Sequence, residues 1–139
     1  MQQHLDRIGV ATRGQGLYEI TPEVHAVVRA AQITTGLATI YCRHTSCSLI
    51  INENADPDVR HDLEAFMKRL VPDGDKQFIH TLEGPDDMPA HVKTALTATS
   101  LAIPVADSSM VLGMWQGIYL FEHRRVPHRR EIVVQVMGD

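Results

Sequence analysis

The stretch LAIPVADSSMVLGMWQGIYLFEHRRVPHRREIVVQVM, residues 101–137, decides the fold. It is a series of short apolar or alternating runs separated by turn residues, the pattern of strands rather than helices. Leu101 to Val105 is joined through Asp107-Ser108-Ser109 to Met110–Leu112. Trp115 to Phe121 alternates within a Gly113-x-x-x-Gly117 frame, and Glu131 to Met137 is β-branched and apolar. The intervening segment His123 to Arg130 reads as a hairpin connection.

Helical signals lie upstream. Thr21-Pro22-Glu23 reads as a helix start, with a hydroxyl cap, a proline at the first helical position and an acid in the first turn. Val24, Val27, Val28 and Ala31 give that helix an apolar stripe. Asp56-Pro57 repeats the cap-plus-proline signal, and Val59, Leu63, Phe66, Met67 and Leu70 form the apolar face of the clearest helix. A third helix begins near Asp87 to Pro89 and is expected to bury Val92, Ala95 and Leu96. Further strands are expected at Leu5–Val10, Leu17–Ile20, Leu37–Arg43 and Ser48–Ile51. Strand hairpins with about three helices packed on them make an α+β class, with a mainly antiparallel sheet.

The 139 residues fit one domain spanning 1–139, with 44% hydrophobic and 22% charged residues. A net charge of −4 gives no global reason to expect a nucleic-acid partner. No apolar run has membrane-spanning length and the first residues carry no signal-peptide pattern, so no membrane partner and a cytoplasmic location are expected. Cys42 and Cys47 have neither C-x-x-C spacing nor a disulfide framework, which suits free thiols in a reducing compartment.

Eight histidines in a chain of this length focus attention on proton transfer and metal ligation. Polar residues concentrate in separate segments. Arg43-His44-Thr45-Ser46 sits at a strand end, where His44 is either a ligand or acid/base group or an ordinary loop histidine. In Asn52 to Asp58, helix capping accounts for Asp56, and the helix dipole favours Asp58 in the first turn. Glu53 and Asn54 remain unaccounted for, and the segment's oxygens suit magnesium or a polar substrate. His80-Thr81-Leu82-Glu83-Gly84 precedes a loop and His91 follows it, so the two histidines can converge on zinc, although the spacing matches no zinc signature. Trp115, flanked by Gly113 and Gly117, is either a core residue or a stacking wall. His123 and His128 accompany Arg124, Arg125, Arg129 and Arg130, as a solvated basic hairpin or an anion site.

Taken in order, TGLATIYCRHTSCSLIINENADPDVRHDLE, HTLEGPDDMPAHVK, LGMWQGIYLFEHR and RREIVV resemble the YjbQ-like family, whose members are described as secondary thiamine-phosphate synthases. The likeness covers nearly the whole chain. It departs from the family pattern at Cys47, Met114 and Pro85. The resemblance implies a compact α+β subunit assembled as a homotrimer, with polar pockets at or near subunit boundaries and a small-molecule substrate. It implies a divalent metal, magnesium or zinc, at His44, His80 and His91, with His80, Glu83 and Asp58 as catalytic groups. Substrate contacts are implied at Thr45, Asn54, Asp56, Trp115, Gln116 and Arg129. The implied reaction joins a pyrimidine methyl diphosphate to a thiazole phosphate and releases diphosphate. Two other functions suit the same residues: a metal-dependent hydrolase or lyase on another small phosphorylated or heterocyclic compound, and a non-catalytic trimeric ligand-binding protein.

Overall fold

The structure, a computed structural model, describes residues 1–139. In chain order the elements are β1 (Gln2–Thr12), β2 (Gly16–Glu19), α1 (Thr21–Ala31), β3 (Gly36–Cys42), β4 (Cys47–Glu53), α2 (Pro57–Leu70), α3 (Asp87–Leu96), β5 (Ser100–Ala106), β6 (Ser109–Met110), β7 (Gln116–Glu122) and β8 (His128–Gly138). They form a single α+β domain with two sheets, of order β1-β8-β3-β5-β6 and β2-β7-β4. Every ladder is antiparallel.

β8 alternates as its sequence requires, burying Arg130, Ile132, Val134 and Val136 on one face. The three apolar ones join Ala38 and Ile40 of β3, Leu49 of β4, Ile118 and Leu120 of β7, and Val24, Val27 and Val28 of α1 in the main core. β7 is buried on both faces from Gly117 onward. Its opposite face, Tyr119 and Phe121, packs with Leu17 and with Met67 of α2 in a second cluster. Burial on both faces explains why this strand reads as a continuous apolar run.

Several local expectations change. The 123–130 segment is not a hairpin connection, because β7 and β8 belong to different sheets and the chain crosses between them. Thr21 does not cap α1: its hydroxyl donates to Glu19 Oε2 and accepts from the Ile118 amide, tying the helix start to β7. α3 turns another face inward, burying Pro89, Ala90, Lys93 and Thr94, while Ala95 and Leu96 are exposed. On α2 only Met67 is buried, and Phe66 and Leu70 face outward at 50% and 53% exposure. The Asp56 cap is as expected, its Oδ1 accepting from the Asp58 amide at 2.9 Å.

A polar cluster is buried where the chain crosses between sheets. The Glu122 carboxylate, fully buried, accepts from Arg130 Nε at 2.8 Å and from the Thr12 hydroxyl at 2.6 Å. Arg130 also donates to the Ser46 carbonyl and hydroxyl. Next to it, His123 is 1% exposed with Nε2 2.9 Å from Ser48 Oγ. Burial, helped by the Lys93 charge, pushes the His123 imidazole down to about 3. The folded protein thus holds His123 neutral where the unfolded chain protonates it, at pH below about 6.5. Its stabilising contribution is complete above pH 6.5 and lost on acidification, at about 1.4 kcal/mol per pH unit. Urea unfolding between pH 7 and 4 should show this slope, and His123→Gln should flatten it; an unchanged slope in the variant would contradict the assignment.

Candidate metal centre

The residues before and within α3 make the centre. Asp87 opens the helix and His91 lies four residues later, so both side chains share one face. Gly84 takes φ +105°, a left-handed conformation suited to glycine, and turns the preceding loop back so that His80 reaches the same place. His80 Nε2 lies 2.7 Å and His91 Nε2 3.0 Å from the same atom, Asp87 Oδ2. Ligand atoms of the three residues all fall within 4.8 Å of one another.

The surroundings fix each group. His91 Nδ1 donates to the Thr45 carbonyl at 2.8 Å, so its Nε2 is the free nitrogen and points at Asp87. A ring-nitrogen lone pair against a carboxylate oxygen is repulsive, so a cation belongs between them, either a proton or a metal ion. Asp87 is 1% exposed, and its other oxygen accepts from Arg124 Nη1 at 2.7 Å. Burial acts to raise the Asp87 carboxyl, but the His80 hydrogen bond and the Arg124 charge outweigh it and hold it below the ordinary aspartate value. Arg124 also donates to Asp86 Oδ2 and to the Glu83 carbonyl. Such outer partners orient ligands and set their basicity. Beside His80 opens a cavity of about 420 Å³ lined among others by Lys76, Phe78, Thr81 and Met88, a volume suited to a small molecule.

His80 and His91 therefore converge as their positions flanking one loop allowed, and the third side chain of the cluster is Asp87. His44 stands apart, its Nε2 accepting from the Glu131 amide at 2.8 Å. Burial and the Arg130 charge hold the His44 imidazole below its usual value. Thr45 contributes its carbonyl to the centre, and Glu83 its carbonyl to Arg124.

The other expected residues gather elsewhere. The Asn54 amide donates to the Trp115 carbonyl at 3.0 Å, and Gln116 Oε1 accepts from the Gly113 amide. Gly117 is needed there, since a Cβ would come within 2.9 Å of Asn54 Cβ and Glu19 Oε2. Trp115 is 58% exposed, so it is no core residue. Asp56 and Asp58 are exposed at the start of α2. Arg129 is exposed and lies against Gly9 on the neighbouring strand. In the β4–β7 ladder Cys47 pairs with Glu122 near the His80–Asp87–His91 cluster and Glu53 with Gln116 near Trp115. Six residue steps separate these ends, about 20 Å. Within the chain the His80 and Trp115 segments thus lie at opposite ends of the small sheet.

Asp87, Asp86 and Arg124 are not among the residues the sequence points to for this cluster. The signal is nevertheless present: Asp87 and His91 stand at i and i+4 in DDMPAHV, a ligand spacing on a helix. The basic 123–130 segment is solvated only in its middle: Arg125 and Arg129 are exposed, whereas His123 and Arg130 are buried and Arg124 is tied to Asp86 and Asp87.

A sequence profile of the family described as UPF0047 protein YjbQ-like matches residues 6–139. A UPF0047 protein of Synechocystis sp. is 48% identical over 138 residues, covering 99% of this chain and 94% of that protein. A conserved hypothetical protein from Thermus thermophilus has a crystal structure that superposes with a TM-score of 0.85 at 35% identity, over 95% of this chain and 99% of that one. A protein of unknown function from Sulfolobus solfataricus shares the fold with a TM-score of 0.90 at 24% identity, over 99% of both chains.

Proposed function

The chain belongs to the UPF0047 YjbQ-like family, and from that membership and the His80–Asp87–His91 group we propose a divalent-metal-dependent enzyme acting on a small phosphorylated compound. The convergence of both histidines on one oxygen of a buried aspartate carries this reading. Two imidazoles and a carboxylate, backed by outer hydrogen-bond partners at His91 and Asp87, form the donor set of open zinc and related transition-metal sites. Magnesium prefers oxygen ligands throughout, so zinc suits this centre better.

The reaction proposed for it is thiamine phosphate formation. In it a C–N bond forms between the pyrimidine methylene and the thiazole nitrogen, the C–O bond to diphosphate breaks, and diphosphate leaves. A bound metal would supply Lewis-acid neutralisation of the leaving charge. The chain's own part is to hold the substrate beside His80, in the cavity that Phe78 and Met88 line, and to keep Asp87 ionised through Arg124.

The active form is a homotrimer in this proposal. Ile79 and Leu82, which flank the His80 loop, are 98% and 99% exposed, and Phe66 and Leu70 add apolar surface on α2. A head-to-tail ring places one end of each subunit against the opposite end of the next, which would bring the Trp115 group of one subunit toward the metal centre of its neighbour. No helix is long and apolar enough to cross a membrane. A cytoplasmic location is part of the proposal, supported by the unbonded Cys42 and Cys47 thiols, whose sulfurs lie 3.4 Å apart.

One preparation tests all three parts. Sedimentation at micromolar concentration should give three times the 15.5 kDa subunit mass. The zinc-loaded protein should form thiamine phosphate, and His80→Ala should lose at least about 100-fold in rate. Turnover of a different phosphorylated or heterocyclic compound in its place would establish the hydrolase or lyase reading. Ligand binding without any turnover would leave a binding protein. A stable monomer would remove the intersubunit site.

A further inference from the structure

A second cavity, of about 290 Å³, adjoins the first: Asp73 lines this one and Gly74 the one beside His80. Its walls carry Lys68, Lys93, Arg125, Gln15 and Asp73. Lys93 is the unusual member. It projects from α3 and is only 3% exposed, yet its ammonium makes no hydrogen bond or ion pair with any group of the chain. A buried lysine without a partner is costly and rare. Lys68 and Arg125 are charged and exposed at the same cavity. Against these three cations stands one acid.

That acid is itself half unsatisfied. Asp73 Oδ2 accepts from Arg125 Nε at 2.8 Å and from Gln15 Nε2 at 3.3 Å. Its Oδ1 is buried with no partner at all. The cavity therefore presents cationic donors in excess over a single carboxylate, that of Asp73. An anion that also carries a proton suits both the cations and the carboxylate.

We propose that this cavity binds a hydrogen-phosphate group, either as the free ion or as the end of a phosphate monoester. The phosphate oxygens accept from Lys93 and Lys68, and the P–OH donates to the Asp73 carboxylate. Sulfate is a dianion without a proton near neutral pH, so it meets the lysines equally well but opposes Asp73 with a lone pair. The site thus distinguishes two ions of similar size through one hydrogen bond. As the seat of a substrate's phosphate group it rests on the enzymatic reading given above; as a phosphate site it stands without that reading.

Calorimetric titration of the metal-free full chain at pH 7 with inorganic phosphate, sulfate and glycerol phosphate tests it. Phosphate should bind saturably at one site per subunit, with sulfate at least about tenfold weaker. Lys93→Met should weaken phosphate at least about tenfold, and the exposed Lys68→Gln should weaken it in the same direction. Asp73→Asn should narrow the gap between phosphate and sulfate. Glycerol phosphate binding as tightly as phosphate would assign a monoester, and its exclusion would assign the free ion. Absence of saturable phosphate binding up to about 10 mM would overturn the proposal, as would equal binding of sulfate or indifference to both lysine substitutions. Because no metal is present, phosphate binding alongside a failed zinc titration would refute the metal-dependent enzyme and leave this site standing.

Discussion

Replacing Asp87 by alanine is expected to weaken zinc binding by at least about 100-fold and to lower the unfolding free energy by about 3–5 kcal/mol. The metal loss follows from removing the oxygen on which both histidines converge. The stability loss follows from burial: Arg124, with only 14% of its side chain exposed, would lose one of its two acidic partners. Breaking a buried pair from one side leaves an uncompensated charge, which is worse than never having had the pair. Acid dependence gives a second signature. Because the folded Asp87 carboxyl lies below its unfolded value, its contribution is present above the unfolded pKa and is lost as pH falls through the folded one. Wild type should therefore lose stability in that acid range and the variant should lose less. Cobalt titration followed by its visible spectrum, with urea unfolding at pH 7, reads both effects. A variant that binds cobalt like wild type and unfolds within about 1 kcal/mol of it would sink the assignment.

The Glu122–Arg130 pair should give an equally large effect with a different signature. Glu122→Ala is expected to cost about 3–5 kcal/mol, since it strands Arg130 at 4% exposure. The hydrogen bonds from Arg130 and Thr12 hold the Glu122 carboxyl below its usual value although burial alone would raise it, so the pair is ionised in the fold. Replacing both residues by methionine should recover most of the loss, because similar apolar volume removes the two desolvation costs together. The double-mutant cycle isolates that coupling. The single variant should also weaken metal binding, since Arg130 holds Ser46, and the neighbouring Thr45 carbonyl sets the tautomer of His91. A double variant no more stable than Glu122→Ala would contradict this account.

The sequence is legible where local chemistry and final environment agree. Alternation in residues 131–137 becomes the register of β8, and Asp56-Pro57 starts α2 with the expected cap. It misleads where a tertiary partner redirects a group. Thr21 carries a capping signature, but its hydroxyl is taken by β7. Apolar character points to one face of α3, whereas the face that meets β4 is selected by Ala90 and Thr94 and buries a lysine. The candidate site divides in the same way. His80 and His91 are recognisable as ligand types, but Asp87 looks like an ordinary acid in a helix's first turn, a position the dipole favours without any function. The separation of the Trp115 group from the histidines is not visible in the sequence, because it depends on the antiparallel pairing of β4 with β7.

That pairing has a consequence for how the chain comes into being. β7 is the middle strand of one sheet and β8 lies between β1 and β3 in the other, and both come from the last quarter of the sequence. β1 pairs with β8 from Gln2↔Gly138 to Thr12↔His128, a loop closure that spans almost every residue. As the protein leaves the ribosome, β1, β2, β3 and β4 emerge without their principal neighbours, and β3 meets only β5 before β8 emerges. Such non-local topology folds slowly and leaves strand edges bare in the meantime. Assembly of both sheets must wait for the final strands to emerge.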